Sequence, residues 1–151
     1  MPDRRKFIAF AVLAGALWRA TPALAAEAKH EHRIVFQLTD NDPQRMTMIL
    51  DNIANVSRYY ADKGDSVEFE VVVYGPGLHM LRADTSPVKE RVKSIKLSIP
   101  DVAFTACGNT IESMEKAEGR KIELLPQVGV APAGVARLAE LQEQGWSYVR
   151  P

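Results

Sequence analysis

Apolar residues in this chain fall into short continuous runs that alternate with stretches of helical spacing. Arg33-Ile34-Val35-Phe36-Gln37-Leu38 is β-rich and predicts a first strand. Asp42-Pro43 follows, a capping aspartate with proline at the first helical position. Met46, Ile49, Leu50, Ile53, Val56 and Tyr60 then form one apolar stripe of a long helix that stops near Gly64. Val67 to Tyr74 predicts a second strand, alternating at first and continuously apolar through Val71-Val72-Val73. Such a run suits a strand covered on both faces.

The pattern then loosens. Gly75-Pro76-Gly77 through Ser86 reads as a long irregular connection, of the kind that serves as a lid or binding loop. Ser86-Pro87 opens a second helix to about Leu97, Val102 to Ala106 is a third strand, and Asn109 to Gly119 a third helix capped by Asn109. Val128 to Ala131 predicts a fourth strand and Trp146 to Val149 a last one. Between them Pro132-Ala133-Gly134 starts a helix with apolar positions Val135, Leu138 and Leu141. Trp146 and Tyr148 suit either a core strand or an oligomer interface. The alternation predicts an α/β fold, a flavodoxin-like three-layer sandwich with a mainly parallel five-stranded sheet. With the strand order 2-1-3-4-5, the ligand crevice lies between the first and third strands. Thr39-Asp40-Asn41-Asp42 and Cys107-Gly108-Asn109 then flank it.

The N-terminus departs from this pattern. Met1 to Arg5 is short and basic, Phe7 to Trp18 is apolar, and Ala23-Leu24-Ala25 is a small-x-small cleavage site, with a second at Ala26-Glu27-Ala28. Residues 1–25 therefore read as a signal peptide too short to span a membrane comfortably. Arg4-Arg5-Lys6-Phe7-Ile8 is similar to a twin-arginine signal, so the mature protein is expected in a periplasm, not embedded in the membrane. Residues 26–32 are expected to be a flexible mature N-terminus and 33–151 the single domain. Cleavage removes four of 19 basic residues and one of 19 acidic ones, leaving 15 and 18, a net charge of −3. A chain without a basic face is not expected to bind nucleic acid.

Cys107 is the only cysteine, so an exported chain of this size has no internal disulfide to rely on. It ends a strand, Gly108 allows a tight turn, and a helix begins beyond it. A thiol facing a helix N-terminus is stabilised as thiolate, the form a nucleophile or sulfur carrier needs. A small buried hydrophobe is the competing reading. His79, in the long connection, is a candidate proton partner for Cys107 if that segment folds over the crevice. A loop histidine in water is the alternative. Asn41, Gly75 and Gly77, with Gly108 and Asn109, are candidate pocket residues. Lys29-His30-Glu31-His32 reads as a solvated tail rather than a metal site, and no metal or cofactor is expected. Cys-x-x-Cys, His-Glu-x-x-His and Gly-x-Ser-x-Gly do not occur.

The strand-Cys-Gly-Asn-Thr unit (Val102 to Thr110), the Val71 to Leu81 stretch VVVYGPGLHML and the ending GVARLAELQEQGWSYVRP together resemble the DsrE/DsrF-like family, especially its small exported members. The resemblance runs from about Arg33 to Pro151. It implies a flavodoxin-like subunit that assembles into trimers or hexamers. In the sulfur-relay members a cysteine at the end of a central strand carries persulfide sulfur between partners, and Cys107 matches that position. Those relays are cytoplasmic, which leaves the sulfur donor and acceptor of an exported chain open, whether proteins or small sulfur compounds. The expected function is thus a periplasmic sulfur carrier using Cys107. The alternative is a non-catalytic module that binds a small anion or metal in the same crevice.

Overall fold

A computed structural model describes residues 30–151; the expected leader lies outside them. The first strand, β1 (Glu31–Leu38), begins two residues earlier than its β-rich core. The backbone N–H of His30 donates to Asp65 Oδ1 at 3.1 Å, and His32 Nε2 lies 3.3 Å from Asp65 Oδ2 while its ring stacks on Tyr60. Glu31 and His32 therefore belong to the sheet, paired with Ser66 and Val67, and not to a flexible terminus. Helix α1 (Pro43–Ala61) starts as its sequence predicts: Asp42 caps it by accepting from Gln44 N at 2.8 Å, and Met46, Ile49, Leu50 and Ile53 are buried. Burying each such side chain contributes about 1.5–3 kcal/mol.

After β2 (Ser66–Val73) the chain does not form an open loop. Gly75–Leu81 is a 3-10 turn that buries Leu78, Met80 and Leu81 completely. Its apolar residues lie three or fewer apart and fit the tighter 3-10 winding, which the glycines and proline obscure in sequence. The segment is part of the core and not a lid. Helix α2 (Lys89–Ser98) begins three residues after Ser86, whose hydroxyl donates to Met80 O at 2.6 Å and so ties the connection to the turn. Strand β3 (Val102–Cys107), helix α3 (Gly108–Glu118), strand β4 (Gly129–Ala131), helix α4 (Gly134–Glu143) and strand β5 (Ser147–Val149) complete the chain.

Among the described residues the five strands are all parallel, in the order β4-β3-β2-β1-β5. The flavodoxin-like α/β class holds, but the expected order 2-1-3-4-5 does not. Right-handed crossovers explain the layers. The chain steps in one direction from β1 to β4, so α1, α2 and α3 share one face; the return from β4 to β5 puts α4 on the other. The packing agrees. Phe36, Leu38, Phe69, Val71, Val73, Phe104 and Ala106 belong to the large core, whereas Val35 and Val72 pack with Leu138 and Leu141 of α4. Val135, expected on the buried stripe of α4, is 62% exposed because Gly134 occupies the sheet-facing position instead.

The order also relocates the crevice. β3 feeds a helix on one face and its neighbour β4 a helix on the other, so the sheet splits at the carboxyl ends of β3 and β4. Cys107 pairs in register with Ala131 at that point.

Candidate functional site at the ends of β3 and β4

Cys107 closes β3 and is itself the N-cap residue of α3, with φ −79° and ψ 120°. Asn109, expected to be the cap, lies one residue inside the helix. Its exposed side chain is not the capping group, and its backbone N–H donates to Pro132 O at 3.1 Å. The cap position sets the sulfur beside the N–H groups that open α3, although the side chain makes no capping hydrogen bond to them. Helix α4 supplies a second set: Gly134 N donates to Cys107 Sγ at 3.2 Å. Cys107 thus stands between two helix N-termini, one from each layer.

Close approach makes this possible. A side chain on Gly134 would put its first carbon 3.1 Å from Tyr74 Cδ1 and 3.2 Å from Cys107 Cβ. Gly108 meets Pro132 O and Ala131 O at 3.3 and 3.4 Å in the same way, so its role is to let β4's end press on α3. Tyr74, at the end of β2, is held by Gln37, whose amide donates to its hydroxyl oxygen at 2.5 Å; Tyr148 in turn donates to Gln37.

Cys107 is 5% exposed, and burial alone raises a thiol's pKa. Opposing it are the Thr110 hydroxyl, the Gly134 N–H and the N–H groups of Thr110 and Asn109, and together they hold the thiol below its ordinary value. Thr110 is free to donate towards sulfur because its oxygen already accepts from Gly75 N at 3.0 Å. Thr110 therefore joins the 3-10 turn, through Gly75 N, to the groups that lower the thiol's pKa.

The other expected residues divide. Gly75, with φ +54°, reaches the thiol through Thr110. Gly77 shapes the same edge: its N–H donates to Thr39 O at 2.9 Å, and an added carbon would sit 2.6 Å from Leu38 O. Asn41 is exposed and follows β1, and β2 now separates that strand from β3, so it does not flank Cys107. His79 shares a hydrogen bond through Nδ1 with Thr85 Oγ1 at 2.7 Å and is not among the groups that shift the thiol. Among the described residues no cluster of three His, Cys, Asp or Glu is placed to hold a metal.

Thr110 and Tyr74 were missed as site residues. Thr110 had a legible signal, a hydroxyl three residues after the strand's last residue. Gly134 read as a helix start, which it is, but its nearness to Cys107 depends on the strand order.

Comparison with known proteins agrees with the fold. The DsrE/DsrF-like family model matches residues 24–151. A solved structure of MTH1491, a protein of unknown function from Methanobacterium thermoautotrophicum, is similar at 33% identity and a TM-score of 0.65, over 80% of this chain and 99% of that one. No curated protein matches. The chain belongs to the DsrE/DsrF-like family, and that membership points to a sulfur-transfer-related role.

Proposed function

We propose that the protein is an exported sulfur carrier in which Cys107 accepts one sulfane sulfur and passes it on. The observation that carries the reading is the seating of Sγ between the starts of α3 and α4, where Gly134 N–H and the Thr110 hydroxyl favour the thiolate. In the forward step the Cys107 thiolate attacks the outer sulfur of a donor persulfide. A sulfur–sulfur bond forms on Cys107, the donor's own sulfur–sulfur bond breaks, and the donor leaves as a thiolate. The terminal sulfur keeps its proton and oxidation state. An acceptor thiolate then attacks that terminal sulfur and regenerates the Cys107 thiolate. No external oxidant is consumed, and one cysteine suffices because a second molecule completes each transfer.

The leader-like pattern of residues 1–25 supports a periplasmic location. Assembly with further copies is supported by the open edge of β4 and by Val130 and Val135 beside the site, 56% and 62% exposed. A second reading, a small-anion-binding module without turnover, is favoured by the 5% exposure of Cys107, since a buried thiol is poorly reached. Intact-mass spectrometry separates the two. Incubation with a small persulfide donor is expected to add one sulfur atom to the native protein and none to Cys107→Ser, and an acceptor thiol is expected to remove it. No adduct, with a thiol inert to iodoacetamide, would favour the binding module.

A further inference from the structure

On the face covered by α4 lies a buried charge that the sulfur chemistry does not use. Glu70, in the middle of β2, is 4% exposed. Its carboxylate accepts from Arg137 Nε at 2.9 Å, from Arg137 Nη2 at 2.7 Å and from the Thr105 hydroxyl at 2.7 Å. A carboxylate removed from water this far is weak evidence for stability. What a two-pronged guanidinium contact adds is fixed geometry.

That geometry is tied to the thiol from both sides. Arg137 stands three residues after Gly134 in α4, and its N–H closes the helix's first turn on Ala133 O at 3.0 Å. Thr105 stands two residues before Cys107 in β3, on the same face of the strand. The cluster therefore links the strand that ends in the thiol to the helix whose first N–H meets the sulfur. Leu138 and Leu141 also pack on the sheet through Val35 and Val72, but apolar contact is non-directional and does not fix the position of α4 along its axis.

We propose that Glu70, Arg137 and Thr105 form a positioning device that holds the first turn of α4 on Cys107 and keeps Gly134 N–H within reach of Sγ. They are positioning residues and do not touch the transferred sulfur. The inference rests on Cys107 working as a thiolate, though not on the identity of its cargo. In the native protein Arg137 is neutralised by Glu70. Removing Arg137 leaves a free negative charge and removing Glu70 a free positive one. Direct charge effects therefore act in opposite directions in the two variants, and an upward shift in both reports lost position. Tyr74, the polar side chain packed beside Gly134 and Cys107, is engaged with Gln37.

The test is the rate of Cys107 alkylation by iodoacetamide against pH in the full chain, with melting temperature measured in parallel. Arg137→Met and Glu70→Gln are expected to move the midpoint upwards by roughly half a unit or more, about a threefold loss of thiolate below the midpoint. Arg137→Lys is expected to recover part of the shift. An Arg137→Met protein that melts earlier but keeps the native midpoint would show the cluster to be purely structural. Should that variant fail to fold, Thr105→Val leaves the Glu70–Arg137 pair in place and carries a smaller upward shift. An unmoved midpoint there overturns the proposal equally. Alkylation reads the thiol alone: a protein that takes up no sulfur yet shows the shift keeps this inference and loses the carrier, and the converse holds.

Discussion

At the scale of single residues, the site depends on what surrounds one sulfur atom. Burial opposes ionisation of Cys107, and four donors from two helix starts outweigh it. Thr110→Val removes the largest of these and is expected to raise the thiol's alkylation midpoint by roughly half to one unit. The same balance links pH to stability. The native thiol loses its proton at lower pH than the unfolded one, so the unfolded chain binds more protons between the two values. Native protein should therefore gain stability over Cys107→Ser as pH rises through the folded value towards the ordinary thiol range, and lose that advantage as pH falls; urea titrations at several pH values check this. The sequence made Cys107 legible because it is single and ends a strand. It misassigned the helix cap, because Asn109 is the better capping residue by type. The helix instead begins directly after the strand's last residue, which makes the cysteine itself the cap.

At the scale of elements, the segment between β2 and α2 decides how firmly the site's edge is held. Its 3-10 turn fills the core, and Arg82, 1% exposed, anchors the residues just after that turn. Arg82 Nη1 contacts Glu118 Oε1 at 2.5 Å and Nη2 contacts Asp84 Oδ2 at 2.8 Å, while Arg120 reaches both acids. This clamp ties the connection to the far end of α3, whose near end carries Cys107. Hydrogen bonds from Arg82, and for Asp84 also from Arg120, hold both carboxyls below their usual range. Their stabilising effect is complete above the ordinary carboxylate pKa and is lost as pH falls through the lowered values. Arg82→Met is accordingly expected to lower the melting temperature by roughly 5–15 °C near neutrality and to flatten its fall in acid. Gly77→Ala, whose new carbon meets Leu38 O, is expected to cost about 1–3 kcal/mol of unfolding free energy. Helix spacing and caps made α1 legible almost to the residue. Arg82 was not, because an arginine between turn signals reads as solvent-exposed until Glu118, 36 residues on, is brought beside it.

At the scale of the whole molecule, alternating strands and helices were enough for the class of fold but not for the order of its strands. Each parallel crossover is equally legible whichever neighbour it reaches. Only the single helix on the Val35–Val72 face shows that the chain runs β1 to β4 and then doubles back. That order removed Asn41 from the site and brought in Gly134. The proposed assembly is tested at this scale too: Val130→Glu with Val135→Glu is expected to lower the mass seen by sedimentation velocity while leaving the melting transition cooperative. A native chain that sediments as a monomer would remove that part of the proposal. The carrier role of Cys107 is tested by the rate at which it gains one sulfur atom from a persulfide donor, followed by intact mass across pH. Loading is expected to track the thiolate, with a midpoint below that of an ordinary cysteine and no loading in Cys107→Ser. Loading absent at every pH, or rising only where an ordinary thiol ionises, would contradict that role.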